Sequence, residues 1–161
     1  MRVLMPGSYD PVTRGHLAVI EEAARRYGKV TVAVFINPQK QGLFPYDTRV
    51  AFLRLATAHL DGVDVTFSDG MVADLARDGG YDRIVKGIRN EHDLAYEREM
   101  AEYNLARGGV KTEYINAGDA MRDVSSTAVR EALAEGRPIG DMVPDCICAA
   151  VLAAYRAGRS E

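Results

Sequence analysis

The sequence lacks most of the features that place a protein in a class at sight. No stretch approaches the roughly 18 consecutive apolar residues of a membrane span, and the opening MRVLMPG meets Pro6 and Gly7 before the apolar core of a signal peptide could form. Cysteine occurs twice, at Cys146 and Cys148. Residues two apart on a helix point to different faces, so this pair is poor material for a bridge or a metal site and suits reduced thiols in a cytoplasmic protein. No internal repeat, linker or low-complexity segment interrupts the chain. Neither sign of charge dominates. A net charge of −3 with 27% charged residues gives no whole-molecule attraction for nucleic acid or a membrane surface. Any anion site must therefore be local.

What is there is an alternation. The 161 residues, 47% of them hydrophobic, are enough for one domain (1–161) with a buried core. RVLM (2–5) reads as a short buried strand, and from Gly15 to Tyr27 the apolar Leu17, Ile20 and Ala24 recur at helical spacing before Gly28. KVTVAVF (29–35) is a β-branched strand. Asp47 is placed to cap a helix running through His59, with Val50, Leu53 and Ala56 inward. Strands follow at VDVTF (63–67), DRIVK (82–86) and VKTEYI (110–115). They alternate with a short helix from Met71 to Arg77 and a long one from about His92 to Arg107. Two further helices, one opening at Ser125-Ser126 and one from about Pro144 to Ala157, complete the chain. This order predicts an α/β fold, a doubly wound five-stranded parallel sheet, with its ligand crevice at the carboxyl ends of the strands.

The segments just after the strands carry the unusual chemistry. PGSYDPVTRGH (6–16) puts Gly7 at a tight turn, offers the Ser8 hydroxyl, and opens a helix at Gly15-His16, where free amides and the dipole favour an anion. A histidine alone at a helix start is more often a partly exposed cap; Thr-x-Gly before His16 shifts the balance towards an imidazole that donates a hydrogen bond to a phosphoryl oxygen. Asp10, in an Asp-Pro pair, reads as a turn residue. Lys40 reads by itself as a solvated surface lysine. Lys86 finishes a buried strand, which costs free energy unless it reaches solvent or an anion, and with Arg89 it flanks Gly87. Ser125, Ser126 and Thr127 put three hydroxyls at a helix start, with Arg130 one turn on, where capping needs one.

TRGH (13–16) resembles the T/HxGH motif of the nucleotidyltransferase superfamily, and VSSTAVR (124–130) its Ser/Thr-rich phosphate-binding turn. GSYDPVTRGH as a whole, NPQK-x-x-x-F (37–44), VKGIRN (85–90) and DLAYEREMAEYN (93–104), in this order, are similar to the phosphopantetheine adenylyltransferase family over residues 1 to about 145. The resemblance implies a Rossmann-like nucleotidyltransferase fold. It implies an enzyme that makes dephospho-coenzyme A and pyrophosphate from 4′-phosphopantetheine and ATP with Mg²⁺, working as a homohexamer, with coenzyme A a candidate feedback inhibitor.

Carried over by motif, His16 contacts the ATP phosphates and stabilises the transition state. Lys40 binds the attacking phosphate and the α-phosphate, and Arg89 the ATP phosphates. Ser8 lies between the substrates. Lys86, Met71 and Asn104 belong to the phosphopantetheine side. Gly7, Tyr9, Gly87, Glu97, Ser125, Ser126 and Thr127 belong to the nucleotide side. No residue is assigned as a metal ligand, because a Mg²⁺ carried on nucleotide phosphates needs no acidic cage.

Where the family often has an aromatic and a large apolar residue before its Ser-Ser turn, this chain has Arg122-Asp123. SSTxxR also resembles nicotinate mononucleotide adenylyltransferases, and a sister enzyme using CTP and an alcohol phosphate is the related alternative. VKGIRN and NPQK favour the phosphopantetheine family. A non-catalytic nucleotide-binding module is the remaining alternative, and it would be expected to have lost His16 or the cationic loops.

Overall fold

A computed structural model describes residues 1–39, 41–89, 91–118 and 123–159, without the side chains of 91–93. Lys40, Asn90 and Arg122 lie outside the described residues. The strands β1 (Arg2–Gly7), β2 (Lys29–Phe35), β3 (Val63–Ser68), β4 (Arg83–Ile88) and β5 (Thr112–Asn116) form one parallel sheet in the order β3-β2-β1-β4-β5. Between and after them run α1 (Arg14–Tyr27), α2 (Tyr46–Thr57), α3 (Val72–Asp78), α4 (Glu91–Gly108), α5 (Ser126–Glu135) and α6 (Asp145–Arg159).

The order reverses between β1 and β4, which makes their carboxyl ends the switch point of the fold. β1 pairs with β2 along its whole length, from Arg2↔Lys29 to Gly7↔Val34. With β4 it pairs only at Val3↔Arg83 and Leu4↔Ile84. Beyond that the two strands part. Pro6 explains how β1 nevertheless continues two residues past the expected end at Met5. Its carbonyl accepts from the Lys86 side chain and so faces β4. The N–H and C=O of a strand residue point to the same edge, so the donor that proline lacks would also face the open gap, where no ladder remains.

The two faces of the sheet are covered unequally. On one, Val3, Met5, Val30, Val32, Val34 and Val85 pack with α1, α2, α5 and α6 in an extended core. The buried stripe of α1 is Gly15, Val19, Ile20 and Ala23, turned from the expected Leu17, Ile20 and Ala24. Val19 sits so close to the sheet that a Cβ on Gly87 would come within 2.9 Å of it. On the other face Leu4, Ala33 and Ile84 meet Ala76 of α3 and Tyr81 in a small cluster. In α2, Val50, Leu53 and Ala56 are buried as expected, but Pro45 occupies the cap position and Asp47 lies inside the first turn. Helix α2 ends at Thr57, short of His59. Both cysteines on α6 are free thiols, Cys146 exposed and Cys148 half-buried.

Candidate active site

Where β1 and β4 part, two cavities of about 370 and 780 Å³ adjoin, sharing Pro6, Gly7, Ser8, Lys86, Glu97 and Arg130. The smaller lies over the α1 and α5 amino termini, the larger under α4.

His16 owes its state to a reciprocal cap. Thr13, the N-cap of α1, accepts the His16 N–H on its hydroxyl at 3.2 Å, and its own backbone N–H donates to His16 Nδ1 at 3.0 Å. An Nδ1 that accepts leaves the ring proton on Nε2. Burial lowers the pKa of the imidazole to about 4, and the charges of Lys86 and Arg89 push in the same direction. At neutral pH His16 is thus an uncharged Nε2–H donor, built for an oxyanion. The Tyr9 ring stands edge-on to it, with centroids 4.9 Å apart. Tyr9 adopts φ 44° and donates its hydroxyl to Met5 O at 3.1 Å, and burial raises its pKa. Its hydroxyl is committed to structure, while its ring supports the histidine. Gly7 has to be small here, since a Cβ would approach that ring to 3.0 Å.

At α5 the three hydroxyls all have protein partners. Ser125 is the N-cap and accepts from the Ala128 N–H at 3.0 Å. Ser126 donates to Pro11 O at 2.7 Å, and Thr127 accepts from Arg130 at 3.1 Å. What they present to the cleft is chiefly the first-turn amides, which have no intrahelical acceptor. Gly7, Ser8, Tyr9, His16, Gly87, Arg89, Glu97, Ser125, Ser126 and Thr127 all line the smaller cavity. These are the ten positions expected on the nucleotide side.

Of the acceptor-side positions, Ser8, Lys86 and Asn104 line the larger cavity. Lys86 lies 3.7 Å from Glu97 and donates to Pro6 O at 3.4 Å. Asn104 is buried, at 7% exposure, in a channel walled by Phe35, Leu43, Val72, Ile84 and Met100. Met71 lines neither cavity. It precedes α3 and is exposed, its sulfur 4.0 Å from the Tyr103 hydroxyl, while its neighbour Val72 reaches the channel.

Two residues that motif reasoning left aside, Asp10 and Arg49, also face this space, together with Arg130. Asp10 lies in a turn as expected, but it is buried there, at 5% exposure, and its carboxylate accepts the N–H groups of Leu43 and Phe44. Arg49, buried on α2, lies 3.3 Å from it, and Arg130 lies 4.0 Å from it. Nothing in the local sequence marks Arg49, since its partners are 39 and 5 positions away; the Asp-Pro pair was the signal, and turn chemistry masked it. Among the described residues the cavities hold four cations, Arg49, Lys86, Arg89 and Arg130, against two carboxylates, Asp10 and Glu97. A local excess of two positive charges in a chain of net charge −3 suits anionic ligands.

The Cytidylyltransferase-like family model matches residues 4–132. Among curated proteins, the phosphopantetheine adenylyltransferase of Symbiobacterium thermophilum is 41% identical over 145 residues, covering 89% of this chain and 90% of its own. That of Corynebacterium diphtheriae is 39% identical over 152 residues, 94% of this chain and 96% of its own. That of Cutibacterium acnes is 36% identical over 147 residues, 91% and 94%.

The chain belongs to the phosphopantetheine adenylyltransferase family. The fold and family expected from the strand-end motifs stand, and the nicotinate mononucleotide alternative is not favoured. As a member of the phosphopantetheine adenylyltransferase family it is a nucleotidyltransferase enzyme. Among the described residues no helix is long and apolar enough to cross a membrane.

Proposed function

We propose that the chain, acting as one nucleotidyltransferase domain over 1–161, transfers the adenylyl group of ATP to 4′-phosphopantetheine, giving dephospho-coenzyme A and pyrophosphate. The observation that carries this reading is the junction of the two cavities. A polar, amide-rich cleft and a larger, partly apolar channel meet at Ser8 and Lys86, with His16 on the cleft side of the meeting point.

The chemistry asks little else of the protein. A phosphate oxygen of the acceptor attacks the α-phosphorus of ATP, and the bond from that phosphorus to the bridging oxygen of pyrophosphate breaks. A phosphomonoester has its second pKa near 6, so near pH 7 the nucleophile is mostly dianionic and no general base is needed. The barrier lies in bringing two anions together and neutralising the charge that spreads over the phosphoryl oxygens. His16 Nε2–H donates to that charge without adding a cation that would trap the ground state. Lys86 and Lys40 hold the acceptor phosphate, and Arg89 with the α5 amides holds the departing pyrophosphate. Glu97 lies by the ribose. Asn104 belongs to the pantetheine arm, with Val72 taking the place in the channel wall that was expected of Met71.

Mg²⁺ fits this site as a passenger on the nucleotide. Among the described residues no group of three His, Cys, Asp or Glu could cage an ion. The two carboxylates at the cavities are engaged, Asp10 by backbone and Arg49 and Glu97 by Lys86. Mg²⁺ keeps most of its water and is commonly held by substrate phosphates. Bound so, it would supply further charge neutralisation on the phosphates.

The test is a substrate panel. The purified protein should release pyrophosphate from ATP with 4′-phosphopantetheine and not with nicotinate mononucleotide, and the reverse preference would overturn the acceptor assignment. Homohexameric assembly is part of the same proposal, supported by exposed Tyr96, Met100, Tyr103 and Leu105 on α4 and Leu55 on α2, and light scattering after gel filtration checks it. Coenzyme A as feedback inhibitor and a cytoplasmic location complete the reading. Inhibition of pyrophosphate release by added coenzyme A tests the former.

A further inference from the structure

We infer that Asp10 and Arg49 form a buried clamp that fixes the two half-sites relative to each other, and that Asp10 is a positioning residue for the transfer step. The inference rests on the proposed reaction. Both Asp10 oxygens are taken by the loop after β2: Oδ2 accepts from Leu43 N–H at 2.8 Å and Oδ1 from Phe44 N–H at 2.9 Å. Arg49 completes the fork from α2. Its Nε donates to Phe44 O at 2.7 Å and lies 3.3 Å from Asp10 Oδ1, while Nη1 donates to Ser8 O at 3.4 Å. From α5, Arg130 donates to Asp10 O at 2.8 Å. One residue thus ties together the β1–α1 loop, the β2–α2 loop, α2 and α5.

The position matters because Ser8 lies in both cavities, while Gly42, Leu43 and Arg49 wall the acceptor channel and Arg130 reaches both. The carboxylate, with 7% exposure, and the guanidinium, with 10%, are both buried charges, and removing either partner leaves the other uncompensated. The pair also shapes the chain around it. A Cβ on Gly42 would fall 1.7 Å from Arg49 Nη2 and 2.7 Å from Asp10 Oδ2, so any other residue there must displace the clamp. Asp10 has two acceptors facing two N–H donors, and Asn can offer only one of them.

The function of such a clamp is approximation. Misplacement by about 1 Å can cost on the order of a hundredfold in rate, and it would do so without removing any group that binds ATP. The experiment compares D10N, R49Q, the double variant and G42A with the wild-type full chain, by pyrophosphate release with ATP and 4′-phosphopantetheine. Hydrogen exchange at the Leu43 and Phe44 amides is followed in parallel. Each single variant should lower kcat by about ten- to a hundredfold with the KM for ATP nearly unchanged. The double variant should be no worse than the weaker single, and exchange at both amides should rise in D10N.

A folded D10N or G42A with wild-type kcat overturns the inference. So do losses that multiply in the double variant, or unchanged exchange. Should D10N or R49Q fail to fold, G42A, in an exposed loop, decides alone. A wild-type protein inactive with 4′-phosphopantetheine sinks the proposed reaction instead, and the exchange measurement then judges the clamp by itself.

Discussion

The cleft proposed for the nucleotide and the channel proposed for the acceptor open from the same gap in the sheet, yet they are built on opposite principles. The cleft is made of helix ends that are themselves well anchored. Helix α1 buries Gly15, Val19, Ile20 and Ala23, α5 buries Val129, Ala132 and Leu133, and each starts on a side-chain cap. The channel is roofed by α4, which stands away from the sheet. Among its described side chains only Asn104 is buried, and Tyr96, Met100, Tyr103 and Leu105 are exposed. A small, rigid cleft suits a charged triphosphate whose transition state must be met by fixed donors. A roomy channel under a lightly seated helix suits a long, flexible acceptor. The difference implies that mutations on the first side should change rate, and those on the second should change acceptor affinity.

The sharpest way to break the comparison is His16→Ala. It should lower kcat by about a thousandfold, the scale of losing a buried donor to developing oxyanion charge, with ATP affinity little altered. Single-turnover rates beside equilibrium ATP binding check this, and a near-normal rate would remove His16 from the mechanism. Nitrogen NMR of the imidazole should show the Nε2–H tautomer and no titration between pH 8 and about 5 in the free protein. The sign for stability follows from the lowered pKa. Between about 6.5 and 4 the unfolded chain binds the proton that folded His16 refuses. Its contribution to stability is therefore complete above 6.5 and lost as pH falls towards 4.

Lys86→Ala comes next in size. It should cut kcat/KM for the acceptor by about ten- to a hundredfold, since charge-assisted contacts to phosphate are among the stronger ones, and leave ATP binding nearly intact. Lys40→Ala should act in the same direction. If either variant instead loses ATP alone, the two half-sites are reversed. On the cleft side, Ser125→Ala removes the α5 cap and should cost about 1 kcal/mol of stability. Thermal unfolding reads that loss, and the KM for the acceptor should not move with it.

The same contrast explains what the sequence disclosed. Much of what depends on neighbours within a turn was legible: the strand–helix alternation, the Ser125 start, the glycines, and the strand-end cations. What depended on partners far along the chain was not. Asp10 shows in the sequence only as the turn residue it is, because the groups that hold it come from far away: its carboxylate accepts from the amides of residues 43 and 44 and pairs with Arg49, and its carbonyl accepts from Arg130. The phase of α1 was missed because Leu17 and Val19 are equally apolar, and only the close approach to Gly87 decides which faces in. Asp47 seemed the α2 cap because its carboxylate does take a nearby amide, that of Thr48 at 2.8 Å, from inside the first turn.

The smallest effect tests the weak side of the molecule most directly. Helix α4 is tied to α3 by a two-bond bridge, Arg107 Nε and Nη2 to the two oxygens of Asp74 at 2.9 and 3.0 Å. That contact holds Asp74 below the usual carboxylate range. A tight backbone contact reinforces the bridge, since a Cβ on Gly108 would come 2.5 Å from Ala73 O. An exposed ion pair contributes little to global stability and is screened by salt. Here it joins the two helices that flank the channel through Val72 and Ala101, so loosening it should show in the acceptor and nowhere else. Asp74→Asn should raise the KM for 4′-phosphopantetheine by about two- to fivefold, with kcat and the KM for ATP unchanged, and the effect should shrink in high salt as the wild-type bridge is screened as well. Arg107→Gln should match it, and the double variant should be no worse than either. Equal rises in both KM values would mean that α4 supports the whole site. An unchanged acceptor KM would mean that the channel keeps its shape without the bridge, and that the division between a rigid cleft and a loosely roofed channel does not extend to how α4 is held.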